Sequence, residues 1–78
     1  MDITLKYAMG EWLRRERRSR RMSAEELGRR LGYCKPSVYQ WESGQVYLPL
    51  DNFIKICAVL RLDPLREIAK VFREVGLG

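Results

Sequence analysis

The sequence predicts an all-α protein, a single compact domain of five helices. Three observations support this prediction. At 78 residues the chain is long enough for one hydrophobic core and no more. Apolar residues recur at helical spacing along most of the chain, and no useful stretch alternates apolar and polar residues as a half-buried strand does. Finally, glycine and proline stand at several of the predicted helix boundaries.

The first two helices are predicted from apolar spacing and from a helix start signal. Helix 1 covers about residues 4–20, because apolar side chains recur there on one helical face. Helix 2 begins at Ala24, since Ser23 can cap its N-terminus and Glu26 can return a hydrogen bond to the cap. Gly32 ends this helix, as glycine often does one residue past a C-terminus.

The remaining helices follow at short intervals. Helix 3 is predicted over about residues 35–42, helix 4 over about 50–60, and helix 5 from Pro64 to near Gly76. Only the turn 32–34 separates helices 2 and 3. The residues predicted to face the core are Leu50, Phe53, Ile54, Cys57 and Leu60 in helix 4, and Leu65, Ile68, Ala69, Phe72 and Val75 in helix 5.

Positive charge is concentrated in one segment. The net charge of the chain is +5, and residues 14–30 contain eight arginines and three glutamates. The rest of the chain therefore sums to zero. A concentrated basic patch is typical of a protein that binds a polyanion. On charge alone, a solvated helix face or a basic amphipathic membrane helix remains an alternative.

The content of cysteine and histidine excludes several classes of site. Cys34 and Cys57 form no C-x-x-C motif and the chain has no histidine, so a redox pair and an ordinary zinc site both lack their ligands. Both cysteines are predicted to be reduced, structural thiols. A clustered carboxylate pair, a glycine-rich phosphate loop and a nucleophile setting are also missing. The sequence therefore predicts no enzyme activity, no cofactor, no metal and no small-molecule substrate.

No targeting or membrane segment is predicted. Asp2 and Lys6 interrupt the first residues, where a signal peptide would be apolar. No apolar run approaches the ~18 residues that suggest a membrane helix. The expectation is a cytoplasmic protein in a reducing compartment, with no membrane partner.

Helices 2 and 3, joined by a three-residue turn, fit a helix-turn-helix unit, whose second helix enters the major groove of DNA. Short paired helices also occur in other bundles, so the local sequence has to decide. The informative residues are Leu13 and Arg17 in helix 1, Ser23-x-x-Glu26-Leu27 and Leu31-Gly32 in helix 2, and Val38-x-x-Trp41-Glu42-Ser43-Gly44 in helix 3. With these residues the chain resembles the XRE-type helix-turn-helix family of the lambda-type phage repressors and Cro proteins, over about residues 9–72.

The resemblance implies roles for individual residues. In that family the arginine at the Arg17 position pairs with the glutamate at the Glu42 position, which links helix 1 to the recognition helix. Base contacts are implied for the outward face and first turn of helix 3, namely Lys35, Pro36, Ser37, Tyr39 and Gln40. Lys35 can donate to guanine, and Gln40 can pair with adenine.

Contacts to the DNA backbone are implied near the start of helix 2 and the end of helix 3. The residues concerned are Arg17, Arg20, Arg21, Ser23, Ala24 and Ser43. Ala24 stands where many members have a phosphate-binding glutamine, so Arg20 and Arg21 are expected to replace that contact. Many members also have lysine or arginine in the loop after Gly44. Here residues 45–49 carry no cation, which favours a protein contact or extra core.

The sequence thus predicts a sequence-specific regulator of transcription, a repressor in the first place, with double-stranded DNA as its partner. The alternative is a protein-interaction module with the same fold, such as an antitoxin, a coactivator or an anti-repressor. The apolar 46–50 loop and the helix 5 stripe support that alternative. A homodimer through helix 5 or the 46–50 loop is also expected, because many family members bind two half-sites as symmetric dimers.

Overall fold

Five α-helices make up the protein in a computed structural model, which describes residues 2–76. The helices are α1 Asp2–Ser19, α2 Ala24–Leu31, α3 Lys35–Ser43, α4 Leu50–Leu60 and α5 Pro64–Glu74. Within these residues no strand is present. The predicted five-helix, all-α fold is confirmed, and the observed helix ends lie within about two residues of the predicted ones, the usual margin for helix termini.

The ends of α2 follow from local sequence. The Ser23 hydroxyl oxygen accepts a hydrogen bond from the Glu26 amide at 3.0 Å. The reciprocal bond from Glu26 to the cap is not formed, because the Glu26 carboxylate pairs with Arg29 and Arg30 instead. Gly32 follows α2 with φ +83°, a left-handed conformation that glycine adopts without a Cβ clash.

The core lies where α1, α2, α3 and α4 meet, and α5 covers it next to α1. Its largest fully buried apolar side chains are Trp12, Leu13, Leu27, Val38, Phe53, Ile56 and Val71. The rings of Trp12 and Phe53 are 4.8 Å apart between centroids. Burying one such side chain contributes about 1.5–3 kcal/mol, so this cluster is the main source of stability that holds the helices in place.

The inward face of α4 differs from the prediction. Leu50 and Ile54 are 65% and 48% exposed, so their assignment to the core is wrong. Ile56 and Asn52 are buried in their place, which turns the helix toward a face centred near Phe53. The side-chain amide oxygen and nitrogen of Asn52 have no hydrogen-bond partner in the described part of the protein. A buried asparagine on the inward side cannot be found from an apolar pattern.

The predicted inward stripe of α5 is also wrong in part. Leu65 is 78% exposed and Phe72 lies at the surface, whereas Val71 is fully buried. Ile68 is half-buried against the core. The other fully inward residue is Glu67, a charged side chain that the apolar pattern did not place on the inward face.

Glu67 is accommodated by two donors. The Trp12 indole nitrogen donates to one carboxylate oxygen at 2.9 Å, and Lys70 donates to the other at 3.2 Å. Burial by itself raises the pKa of Glu67, but these bonds outweigh it and hold the pKa below its ordinary value. The carboxylate therefore stays ionised and attaches α5 to α1.

The two cysteines occupy different environments. Cys57 is buried in the core, and its burial raises the pKa of the thiol to about 11. Cys34 is exposed at the N-cap of α3 and makes no side-chain capping bond. The interpretation as a structural thiol therefore fits Cys57 and is wrong for Cys34.

Candidate nucleic-acid interface

The turn between α2 and α3 is held by close packing on both helices. A Cβ atom at Gly28 would lie 2.6 Å from the carbonyl oxygen of Tyr33, so only glycine lets the turn pack this closely on α2. The Tyr33 ring meets the Trp41 ring edge-on, with 5.0 Å between centroids. These contacts determine how α3 is oriented relative to α2.

One face of α3 is left open to solvent. Val38 and Trp41 are buried on the opposite side, and Ser37 is half-buried at the edge. The exposed residues of α3 that the sequence assigned to DNA contacts are Lys35, Pro36, Tyr39, Gln40 and Ser43. Four of them follow the spacing i, i+3, i+4 and i+7 from Pro36, which places them on one helical face.

A buried ion pair links α1 to the end of α3. Arg17 Nε donates to Glu42 Oε2 at 2.6 Å and Nη2 donates to Oε1 at 3.0 Å, while Nη1 donates to the Met22 carbonyl at 2.9 Å. The two side chains are 9% and 3% exposed. The hydrogen bonds from Arg17 to Glu42 also raise the pKa of Arg17. With all three guanidinium nitrogens bonded to protein, Arg17 is first of all a structural residue.

Helix α1 approaches α3 unusually closely at Gly10. A Cβ atom there would lie 2.7 Å from the carbonyl oxygen of Glu42 and closer still to that of Trp41. Three residues earlier, the Tyr7 ring covers Gly44, which ends α3 with φ +81°. Sequence reasoning missed these contacts, because a glycine inside a helix carries no signal of what packs against it.

A family model for a helix-turn-helix domain matches residues 8–69. The chain belongs to the helix-turn-helix domain family. The matched residues include α2, the turn and α3, and the match agrees with the XRE-type resemblance in the sequence. No curated protein sequence matches the chain. In helix-turn-helix domains the second helix of the unit is the recognition helix, which here is α3.

The eight arginines of residues 14–30 form the basic cluster of this helix-turn-helix domain, and most of them are paired with carboxylates. The pairs within 4 Å are Arg14–Glu42, Arg15–Glu74, Arg17–Glu42, Arg20–Glu16, Arg29–Glu26 and Arg30–Glu26. Among residues 5–76, Arg18 and Arg21 alone of the cluster have no such partner. The Glu26 carboxylate pairs with both Arg29 and Arg30, and the hydrogen bond from Arg30 lowers the pKa of Glu26.

The start of α2 presents several groups to solvent. Arg21 is exposed with φ +54°, whereas Arg20 donates to the backbone and carboxylate oxygens of Glu16 at 3.1 and 2.8 Å. Ser23 is exposed and uses its hydroxyl only as an acceptor. The Ala24 side chain is buried, so any DNA contact of this residue is through its backbone amide.

Ser43 and the 46–50 loop, which the sequence predicted to contact DNA and protein respectively, differ in how much of each is exposed for such a contact. Ser43 donates its hydroxyl proton to the Gln40 carbonyl at 3.3 Å, so it can offer an acceptor more readily than a donor. In the 46–50 loop Leu48 is buried, whereas Val46 and Tyr47 are exposed. The loop thus contributes one core residue and one apolar surface.

An apolar groove of about 160 Å³ lies between α4 and α5. Leu50, Phe53, Ile54, Pro64, Leu65 and Ile68 line it. It includes three of the residues that the sequence wrongly assigned to the core, Leu50, Ile54 and Leu65. No helix in the described part of the domain is long and apolar enough to span a bilayer.

Proposed function

We propose that this domain binds double-stranded DNA sequence-specifically, with α3 in the major groove, and regulates transcription as a repressor. The supporting observation is the exposed polar face of α3 on a helix fixed by the buried Arg17–Glu42 pair. With nine residues, α3 is about 14 Å long, which suits a groove about 12 Å wide. A domain bound across a promoter represses because it excludes other proteins from it. This function needs no catalytic group and takes place in the cytoplasm.

The assignments within α3 follow from donor and acceptor chemistry. Lys35 donates to guanine O6 or N7, and the Gln40 amide pairs with adenine N6 and N7. Tyr39 and Pro36, both exposed, contribute apolar contact to a thymine methyl, and the Tyr39 hydroxyl adds a hydrogen bond. Ser37 is half-buried, so it contributes less to base contact than the four exposed residues.

Replacing Lys35 or Gln40 by alanine tests these base contacts. The preferred duplex is first selected from random oligonucleotides with the wild-type protein. Each variant should then bind this duplex about 1–3 kcal/mol more weakly and lose preference at one base pair, because one bidentate contact is missing. Lys55→Ala, which removes an exposed lysine of α4, is the matched control. Equal losses on selected and random duplexes would place the base contacts outside α3.

For the DNA backbone we propose Arg21 as the main cation, with Ser23, Ser43, Arg20 and the first amides of α2 beside it. Arg21 has no carboxylate partner among residues 5–76, and amides at a helix N-terminus favour an anion. Arg20 would first have to leave Glu16. Arg17 can add a contact only through N–H groups that Glu42 and Met22 leave unused.

A pair of arginine-to-glycine substitutions separates DNA contact from backbone strain. Arg21 and Arg61 both have left-handed backbone, with φ +54° and +60°, where a side chain costs about 1–2 kcal/mol. Neither substitution should lower the melting temperature. Arg21→Gly alone should flatten the fall of log affinity with log salt by about 0.9, because one phosphate contact is lost. Identical salt slopes for the two variants would argue against Arg21.

A homodimer through the α4/α5 groove is part of this proposal. The groove is apolar, and Leu65, one of the residues that line it, has most of its surface in water. Two copies related by a two-fold axis can therefore each place Leu65 against the groove of the other. Two linked recognition helices would contact two half-sites about one helical turn apart.

The same groove supports the second candidate function, a protein-interaction module such as an antitoxin, a coactivator or an anti-repressor. Light scattering separates the two uses. If the groove holds a second copy, Leu65→Lys should convert a dimer into a folded monomer, since a charge is then buried in the interface, whereas Arg66→Ala, next to it on α5, should remain dimeric. A wild-type monomer at high concentration would leave the groove to another protein.

A further inference from the structure

The first turns of α1 lie against the loop that follows the recognition helix. The Lys6 ammonium is 5.2 Å from the centroid of the Tyr47 ring, and the neighbouring Tyr7 ring covers Gly44. At Gly10 the backbone of α1 packs directly against the backbone of α3. The positions of Lys6 and Tyr7 relative to the recognition helix are therefore fixed. We call Lys6, Tyr7 and Tyr47 the Lys6 surface.

No carboxylate in the described part of the protein neutralises the Lys6 charge. Among residues 5–76, no carboxylate oxygen lies within ion-pair distance of it. An aromatic ring attracts a cation without removing its charge, and an ammonium group has three donors. The face of the ammonium that points away from the ring can therefore bind an anion.

The Lys6 surface adjoins the end of the helix proposed to enter DNA. Since α3 is about 14 Å long and the major groove about 12 Å wide, the end of α3 and the loop after it meet a wall of the groove, where the phosphates are. Residues 44–49 contain no cation of their own. Lys6 is a cation that α1 brings to this loop.

We propose that Lys6 binds a DNA backbone phosphate and that Tyr47 positions it there. The inference rests on the proposed DNA-binding function and extends it to α1, a helix whose buried residues belong to the core. The contact is independent of base sequence, since it is made to phosphate. With Arg21 and Lys6 the domain has unpaired cations for the DNA backbone at two separate places.

Salt dependence of DNA binding tests the charge of Lys6. Lys6→Gln should flatten the slope of log affinity against log salt by about 0.9 on both selected and random duplexes, and Lys6→Arg should keep the wild-type slope. Lys55→Gln, which removes an exposed lysine on α4, should also keep it. If Lys6→Gln lowers the melting temperature but leaves the slope unchanged, Lys6 only stabilises the fold and the proposal is overturned.

Two further measurements test the position of Lys6 and the phosphate itself. Tyr47→Leu should flatten the slope with no change in protein charge, whereas Tyr47→Phe, which keeps the ring, should not. In a series of duplexes, each with one phosphate replaced by a neutral methylphosphonate, one replacement should lower the DNA affinity of the wild-type protein but not that of Lys6→Gln. If no such position exists, the phosphate contact is excluded.

These experiments also distinguish a failure of the Lys6 contact from a failure of the proposed DNA-binding function. A wild-type protein with no salt-dependent DNA binding would overturn both. A wild-type protein that binds DNA, with a slope reduced by Arg21→Gly but not by Lys6→Gln, would overturn the Lys6 contact and leave the proposed function in place.

Discussion

Breaking the Arg17–Glu42 ion pair from one side should destabilise the domain by about 3–5 kcal/mol, because the remaining charge stays buried without its partner. Arg17→Met and Glu42→Gln are the two single substitutions, and chemical denaturation of each gives the free energy of unfolding. The double variant should recover much of the loss, since a pair of neutral side chains carries no desolvated charge. The recognition helix is expected to lose its position in the single variants, so DNA affinity should fall with stability.

Arg14→Met is the matched control for this pair. Arg14 lies 3.9 Å from the same glutamate but its side chain is 39% exposed, and an exposed ion pair contributes only about 0–1 kcal/mol. Small, additive losses in Arg17→Met, Glu42→Gln and the double variant would show that the buried pair does not hold α1 and α3 together.

Gly10→Ala should destabilise the domain by about 1–3 kcal/mol, as overpacking a close contact does. Helix propensity alone predicts the opposite sign, a gain of about 1 kcal/mol for alanine over glycine in a helix interior. The difference arises because the added Cβ would meet the carbonyl oxygens of Trp41 and Glu42, and backbone atoms can move only if α1 shifts away from α3.

Thermal melts with Glu11→Ala as control test this prediction. Glu11 is the next residue of α1 and is exposed, so its substitution should change stability by less than about 0.5 kcal/mol. A Gly10→Ala variant that melts at or above the wild-type temperature would mean that α1 and α3 are not in backbone contact at this point.

The features that local sequence could predict are those that neighbouring residues determine. Ser23 and Gly32 delimit α2 because capping and left-handed backbone are properties of single positions. The exposed face of α3 was also predictable, since Val38 and Trp41 establish which side is inward. The Arg17–Glu42 partnership came from the family resemblance instead, because 25 residues separate the two side chains.

The features that were missed depend on partners distant in sequence. Glu67 faces inward because Trp12 supplies a donor, and an apolar pattern cannot anticipate that. The distribution of free charge in the basic cluster likewise depends on carboxylates elsewhere, such as Glu74 beside Arg15. The sequence assigned Lys6 no binding role, because its proximity to Tyr47 exists only in the folded chain.

The open face of α3 has a consequence for how this protein can change over time. Pro36, Tyr39 and Gln40 make no side-chain hydrogen bond or ion pair to the rest of the described domain, whereas Val38 and Glu42, between and beyond them, are buried. Under the proposed function, mutations on the open face should therefore alter the preferred operator at little expense in folding stability. A new binding preference is thus within reach of a few substitutions, and gene duplicates of such a domain can diverge in their targets while sharing one scaffold.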